Sequence, residues 1–227
     1  MDGVRAGAAE LLDQGNRNPD EEQRFEQLRR AGAYAVHAQD ASLAVMALNE
    51  ALAIRPTDEE TAMLLADAYT IAGAFGEAAE LIKPLVAARK GKASPALAAL
   101  HVRLARLASY AGDRKGELAA LAHALDADKK NGEIAGEVAD RAEEADDLDL
   151  ALKALRLIVA HGAPGPISVP AAFLRQAKII HKRGETERAV TFARRAAHDA
   201  PDGDPVQAEA KAFLKKHETP APPRKGR

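Results

Sequence analysis

The sequence predicts an all-α protein built from repeated pairs of helices, and three observations support this prediction. The pattern of residues 25–58 recurs in residues 59–90, so that Phe25 and Glu59 lie 34 positions apart. Alanine, the best helix former, occurs 53 times against five Phe, three Tyr and no Trp. Few segments are rich in β-branched and aromatic residues. One helix pair cannot bury its apolar face alone, so the copies are expected to stack.

The elements follow in order along residues 1–216. Residues 4–13 favour a helix that ends near Gly15, so residues 1–18 are predicted to be an N-terminal cap helix or a partial repeat. Five helix pairs are then predicted at about 19–58, 59–94, 95–131, 132–165 and 166–203, and together they form a solenoid over residues 19–216. A capping helix is expected at 204–216, and residues 217–227 are predicted to be disordered.

One position breaks the small-residue pattern of the predicted second helices. Glu117 occupies the slot that is alanine in the other four units, at Ala44, Ala78, Ala151 and Ala189. A charged side chain at a close helix contact predicts either a looser helix pair or a local shift of register.

Composition excludes several classes of function. The net charge of −2 argues against non-specific nucleic-acid binding, which needs a basic face. The chain has no cysteine, which removes disulfides, thiolate catalysis and cysteine-based metal sites. No signal-peptide run and no stretch of about 20 apolar residues is present, so we expect a soluble, cytoplasmic protein without a membrane contact.

The repeat resembles the tetratricopeptide repeat (TPR) family, in the form found in bacterial proteins. The match rests on small residues in the first helices (Gly32, Ala66, Ala105, Ala139, Ala177), on Tyr69, on small residues in the second helices (Ala44, Ala78, Ala151, Ala189), and on the closing Pro56 and Pro201. The early tryptophan of the family is absent, and its closing proline is missing from units two to four. The resemblance covers about residues 19–216.

This resemblance implies a right-handed α-solenoid whose first helices line a concave groove for a peptide or a partner helix. Carrying the inward positions of the family over to this sequence predicts groove contacts at Arg29, His37, Asp67, Arg106, Tyr110, Asp140, Glu143, Glu144, Lys178, His181 and Lys182, with Leu174 among the apolar ones. The alternative is that these residues belong to ordinary solvated helix faces.

No motif points to catalysis or to a bound cofactor. The acidic run Asp146–Asp149 lacks the spacing and the late glutamate of a calcium loop, and it matches a predicted turn. The seven histidines show no metal-ligand spacing, and no nucleophile elbow or clustered acid–base pair is present. We therefore expect no enzyme activity, no metal and no cofactor.

The leading hypothesis is a non-catalytic interaction module or scaffold that holds a peptide or helix of another protein in the groove. The alternative is a self-associating segment, or the regulatory repeat segment of a larger signalling or transcription protein, so a homo-oligomer remains open.

Overall fold

The computed structural model describes residues 2–89, 91–162 and 164–218, and within these ranges the chain forms twelve α-helices and no β-strand. The prediction of an all-α helical-repeat fold is confirmed. The helices are α1 (Asp2–Arg17), α2 (Glu21–His37), α3 (Ala41–Ile54), α4 (Glu59–Ile71), α5 (Phe75–Ala88), α6 (Pro95–Tyr110), α7 (Arg114–Ala127), α8 (Gly132–Glu144), α9 (Leu148–His161), α10 (Val169–Lys182), α11 (Thr186–Asp199) and α12 (Pro205–His217).

Short polar residues start most of the helices. The side chains of Asp20, Asp40, Asp58, Ser94, Asn131, Asp147 and Ser168 each accept a hydrogen bond from the backbone amide three residues later. These contacts satisfy amides that have no partner inside the helix. The turns between paired helices use a left-handed residue, which is Gly73, Gly112 or Gly184 in three cases and Gln39 or Asp146 in the other two.

The chain divides into two compact units, residues 1–120 and 121–227, and the division falls within α7. In the first unit each of the helices α1 to α5 packs against the next helix in sequence, and α2 also packs against α4. Its core alternates small and large side chains, as the repeat pattern predicts. Ala35, Ala44, Leu48, Leu65 and Ala68 form one buried cluster of this kind.

The first helix ends later than the sequence predicted. It continues through Gly15 to Arg17, so Gly15 does not terminate it. Gly15 is buried, and a Cβ atom there would lie 3.1 Å from Cγ of Leu28. This glycine therefore serves the close approach of α1 to α2.

Glu117 is buried near the start of α7, and its carboxylate accepts a hydrogen bond from Nη1 of Arg114 at 3.0 Å. A charged neighbour in the preceding turn thus compensates the burial of the carboxylate, as a buried charge requires.

In the second unit α8 to α12 pack in sequence, and α12 also contacts α10. Leu174, predicted to face a groove, is instead buried with Ala196 and Ala210 under α12. The last helix includes His217, so residue 217 is helical where the sequence predicted disorder. Residues 219–227 lie outside the described residues.

The C-terminal turn of α12 packs against α10 through a contact between two histidine rings. The ring of His217 lies 4.0 Å from that of His181 on α10, and Phe213 contacts both rings. The pKa of His217 is lowered from its ordinary value of 6.5 by desolvation, and further by the charges of His181 and Lys216. The folded state therefore favours the neutral ring.

We expect acidification to weaken this docking of α12. A histidine whose pKa is lowered by folding binds a proton more readily in the unfolded state. The contribution of His217 to the stability of the folded state is therefore present above pH 6.5 and is lost as the pH falls below that value. Urea denaturation at pH 7.5 and 5.0 should show a smaller loss of stability for His217→Gln than for the wild type. An equal loss in both proteins would contradict the assignment.

Candidate functional site

Ion pairs join first helices, or the turns that follow them, across neighbouring repeats. The paired residues are 31–36 positions apart, which is close to the repeat period: Arg29–Glu60, Arg103–Asp67, Arg175–Glu143, Arg175–Asp140, Lys178–Glu209 and Lys182–Asp146. Exposed ion pairs contribute only about 0–1 kcal/mol each. Their main effect here is to favour one register between adjacent repeats.

This network occupies most of the predicted site residues of the second unit. Arg175 donates to Asp140 at 2.7 Å and to Glu143 at 2.8 Å. Burial opposes the charge of Arg175, but these hydrogen bonds outweigh it and raise its pKa. Lys178 is held by Glu209 and Lys182 by Asp146, at 2.7 and 2.5 Å. These four predicted site residues are therefore neutralised by partners within the unit, namely Arg175, Glu209 and Asp146.

The other predicted residues of the second unit also have partners. Glu144 accepts a hydrogen bond from Arg141 at 3.2 Å. Nδ1 of His181 lies 3.2 Å from the hydroxyl of Thr186, and its ring belongs to the cluster under α12. Sequence reasoning missed Arg175, whose signal is its spacing of 32 and 35 residues from Glu143 and Asp140.

In the first unit, Arg29 is similarly occupied, whereas no described residue forms an ion pair or hydrogen bond with the side chain of His37. Arg29 of α2 donates to Glu26 at 2.9 Å and to Glu60 of α4 at 2.5 Å. Hydrogen bonding to Glu26 raises the pKa of Arg29 despite partial burial. His37 is the exposed last residue of α2.

A cavity of about 320 Å³ opens between α4 and α6 of the first unit, and it brings three predicted residues together. It is lined by Asp67 and Thr70 of α4 and by Arg103, Arg106, Leu107 and Tyr110 of α6. The α6 residues follow a 3, 4, 7 spacing from Arg103, which places them on one side of the helix. Sequence reasoning missed Arg103 and Leu107, although that spacing from Arg106 and Tyr110 could have shown them.

The cavity keeps one cation and one aromatic ring available. Arg103 is paired with Asp67, and the hydroxyl of Thr70 donates to the carbonyl of Ala66 at 2.7 Å. Arg106 is exposed, and no carboxylate in the described ranges pairs with it. Tyr110 is 61% exposed, with its ring 5.5 Å from that of Phe75.

The chemistry of the cavity follows from this inventory. Asp67 and Arg103 cancel, so the lining carries one positive charge from Arg106. Leu107 and the ring of Tyr110 supply apolar surface, and the Tyr110 hydroxyl supplies a hydrogen-bonding group. The site is suited to a side chain or short segment that combines a carboxylate with an apolar group.

The described part of the chain offers neither a metal site nor a membrane span. No cluster of three or more His, Asp or Glu side chains there is arranged to hold a metal ion. Among the helices described, none combines the length and apolarity needed to cross a bilayer.

Solved structures share this arrangement of helices. The crystal structure of MamA aligns with a TM-score of 0.53 at 18% identity, covering 88% of this chain and 98% of that chain. YrrB, described as a TPR protein with an unusual peptide-binding site, aligns at 0.50 and 16% identity over 82% of this chain and 91% of its own. The nearly identical TPR-like repeats of a putative kinesin light chain from Podosopora anserina align at 0.51 and 18%, covering 88% and 98%.

The fold is that of TPR proteins. The predicted resemblance is thereby confirmed at the level of the fold, since identities of 16–18% carry no further likeness. No protein-family model matches the sequence, and the search of curated proteins gives no match either. Within this TPR fold the α4–α6 cavity lies between the first helices of successive repeats.

Proposed function

We propose that this TPR chain is an interaction module that binds a short segment of a partner protein, and that the α4–α6 cavity is a principal contact. The observation that carries the proposal is the contrast between the two units. In the second unit Asp140, Glu143, Lys178 and Lys182 are held in ion pairs, whereas Arg106 and Tyr110 of the first unit remain open at a cavity. A peptide-binding site in YrrB, a protein of the same fold, supports the same use.

The composition of the cavity defines the segment it would hold. A carboxylate of the partner would bond to Arg106, and a neighbouring apolar side chain would lie over Leu107 and Tyr110. Affinity would come from a preformed surface, because α4 and α6 are held in place by the Asp67–Arg103 pair and by their packing in the repeat stack. The partner is then a peptide or helix with an acidic residue beside an apolar one.

The test is selection of peptides on the full chain from a phage-displayed random library, followed by calorimetry on the selected peptides. Arg106→Gln should weaken binding about tenfold, because it removes a charge-assisted hydrogen bond. Tyr110→Ala should weaken binding by a similar factor. The matched controls are Arg30→Gln and Tyr34→Ala, which change an exposed arginine and a 43% exposed tyrosine on α2.

The selected sequences and the variants both decide the outcome. Acidic–apolar peptides that respond to Arg106 and Tyr110 but not to the controls would support the site. Equal weakening by the controls, unchanged binding in all variants, or a selection that returns no binding peptide would overturn it.

A further inference from the structure

The second unit contains an open pocket of about 500 Å³ between α10 and α11. Phe173 of α10 lines it together with Thr191, Phe192, Arg194, Arg195 and His198 of α11. Most of its wall is apolar, and the rings of Phe173 and Phe192 lie 6.1 Å apart. The other four units have Ala47, Leu81, Ala120 and Ala154 where this unit has Phe192. The aromatic pocket is therefore a feature of this repeat and not of the repeat pattern.

The rim of the pocket carries three basic residues, Arg194, Arg195 and His198. The guanidinium of Arg195 lies 5.7 Å from the centre of the Phe173 ring, and its Nε donates to Asp199 at 2.6 Å. Nδ1 of His198 lies 2.8 Å from the other oxygen of Asp199. Asp199 thus compensates the charge of Arg195 and also contacts His198, which leaves Arg194 as the basic side chain of the pocket that Asp199 does not bind. A cation beside an apolar floor is suited to an apolar group that carries a negative charge.

A carboxylate of the chain itself already binds the third basic residue of the rim, Arg194. Glu218, directly after α12, accepts hydrogen bonds from Nε of Arg194 at 3.0 Å and from its Nη2. The side chain of Arg194 is 60% exposed, so the pair is solvated and contributes little to stability. A second carboxylate that is held in place by an anchored apolar group can therefore replace Glu218.

We propose that this pocket binds a partner segment in which a large apolar side chain stands next to a carboxylate. The apolar side chain fills the space at Phe173 and Phe192, and the carboxylate displaces Glu218 from Arg194. Glu218 then acts as an internal competitor that holds the site in a low-affinity state. This site is separate from the α4–α6 cavity and does not depend on the function proposed for that cavity.

The competition gives a signed test with small probes and the full chain. The probes are N-acetyl-Phe-Glu-amide and its uncharged twin N-acetyl-Phe-Gln-amide, titrated while the backbone amide resonances of Phe192, Arg194 and Arg195 are followed by NMR. We expect the acidic probe to bind about two- to fivefold more tightly than the neutral one, which matches an exposed ion pair. Glu218→Gln should tighten the acidic probe by a similar factor and leave the neutral probe unchanged.

Three further variants make the assignment specific. Arg194→Gln should abolish the difference between the probes, and Phe192→Ser should weaken both. Arg183→Gln is the matched control, because Arg183 of the same unit pairs with Asp149 in an ion pair and is outside the lining. Arg194 and Glu218 are both exposed, so their variants test the proposal even if Phe192→Ser fails to fold.

Several results would overturn the proposal. These are equal affinity for the two probes, no tightening in Glu218→Gln, or no resonance shift at about 10 mM probe, a concentration near the weakest affinity of interest. A concentration-dependent dimer in light scattering that Phe192→Ser disperses would show that a second copy of the chain fills the pocket instead.

Discussion

Replacing Leu48 by alanine is expected to lower the free energy of unfolding of the first unit by about 2–5 kcal/mol. Leu48 is fully buried in α3, where it packs against Ala35, Leu65 and Ala68. Its side chain also lies over Gly32, since a Cβ atom on that glycine would come within 2.3 Å of Cγ of Leu48. The substitution removes the large member of a large–small pair and leaves a cavity.

Urea denaturation followed by circular dichroism measures this loss, and hydrogen exchange of α2 to α4 assigns the transition to the first unit. The control is Met46→Ala on the same helix, which changes a 51% exposed side chain and should cost no more than about 0.5 kcal/mol. A loss in Leu48→Ala as small as that of the control would contradict the proposed packing.

The same pair gives a coupling test. Gly32→Ala alone should destabilise the first unit. The new methyl group overlaps Leu48, and the cost of this overlap exceeds the gain in helix propensity from glycine to alanine. In the Leu48→Ala background the methyl group enters vacated space. The double variant should then be more stable than the sum of the single effects, and strict additivity would show that the two side chains do not meet.

The contact between Gly32 and Leu48 could be predicted because the same small–large pair occurs in two successive repeats. Small residues recur at Gly32 and Ala66, and large ones at Leu48 and Ile82, so one pair of helices explains the other. Glycine also recurs at the turns, at Gly73, Gly112 and Gly184. These turns were predictable because each needs a positive φ, which glycine adopts without strain. The spacing of residues in the sequence was sufficient to predict contacts that lie within one repeat period.

Which charges stay free was not predictable from single helices. Asp140 and Lys178 are suitable groove residues when each helix is considered alone, but Arg175 and Glu209 of neighbouring helices neutralise them. The pairing depends on how successive first helices are placed, which a list of inward positions does not contain. A search for opposite charges about one period apart would have found these partners.

The loop after α9 lies outside the repeat, and its packing had no pattern to predict it. Residues 164–168 lie over the first turns of α8. A Cβ atom on Gly165 would come within 2.6 Å of the carbonyl carbon of Gly132, and one on Gly136 within 2.5 Å of Cγ of Pro166. Ile167 of the same loop is buried. Gly132 and Gly136 thus leave room on α8 for the loop.

Gly165→Ala is expected to destabilise the second unit by about 1–3 kcal/mol, the usual cost of overpacking. The added methyl group meets the backbone of Gly132, which cannot rotate away, so the loop must lift and expose Ile167. Thermal unfolding followed by circular dichroism measures the change. The control is the same exchange at Gly76, an exposed position of α5 where a Cβ atom would meet nothing within 4 Å. Gly76→Ala should stabilise by up to about 1 kcal/mol, because alanine is the better helix former.

A rescue experiment separates the two glycine contacts. Gly136→Ala collides with a side chain, so Pro166→Ala should relieve it by removing the Cγ and Cδ atoms. The same Pro166→Ala should not rescue Gly165→Ala, because that collision is with the main chain of α8. Rescue of both variants would mean that the loop yields as a whole, and rescue of neither would mean that it does not rest on the two glycines.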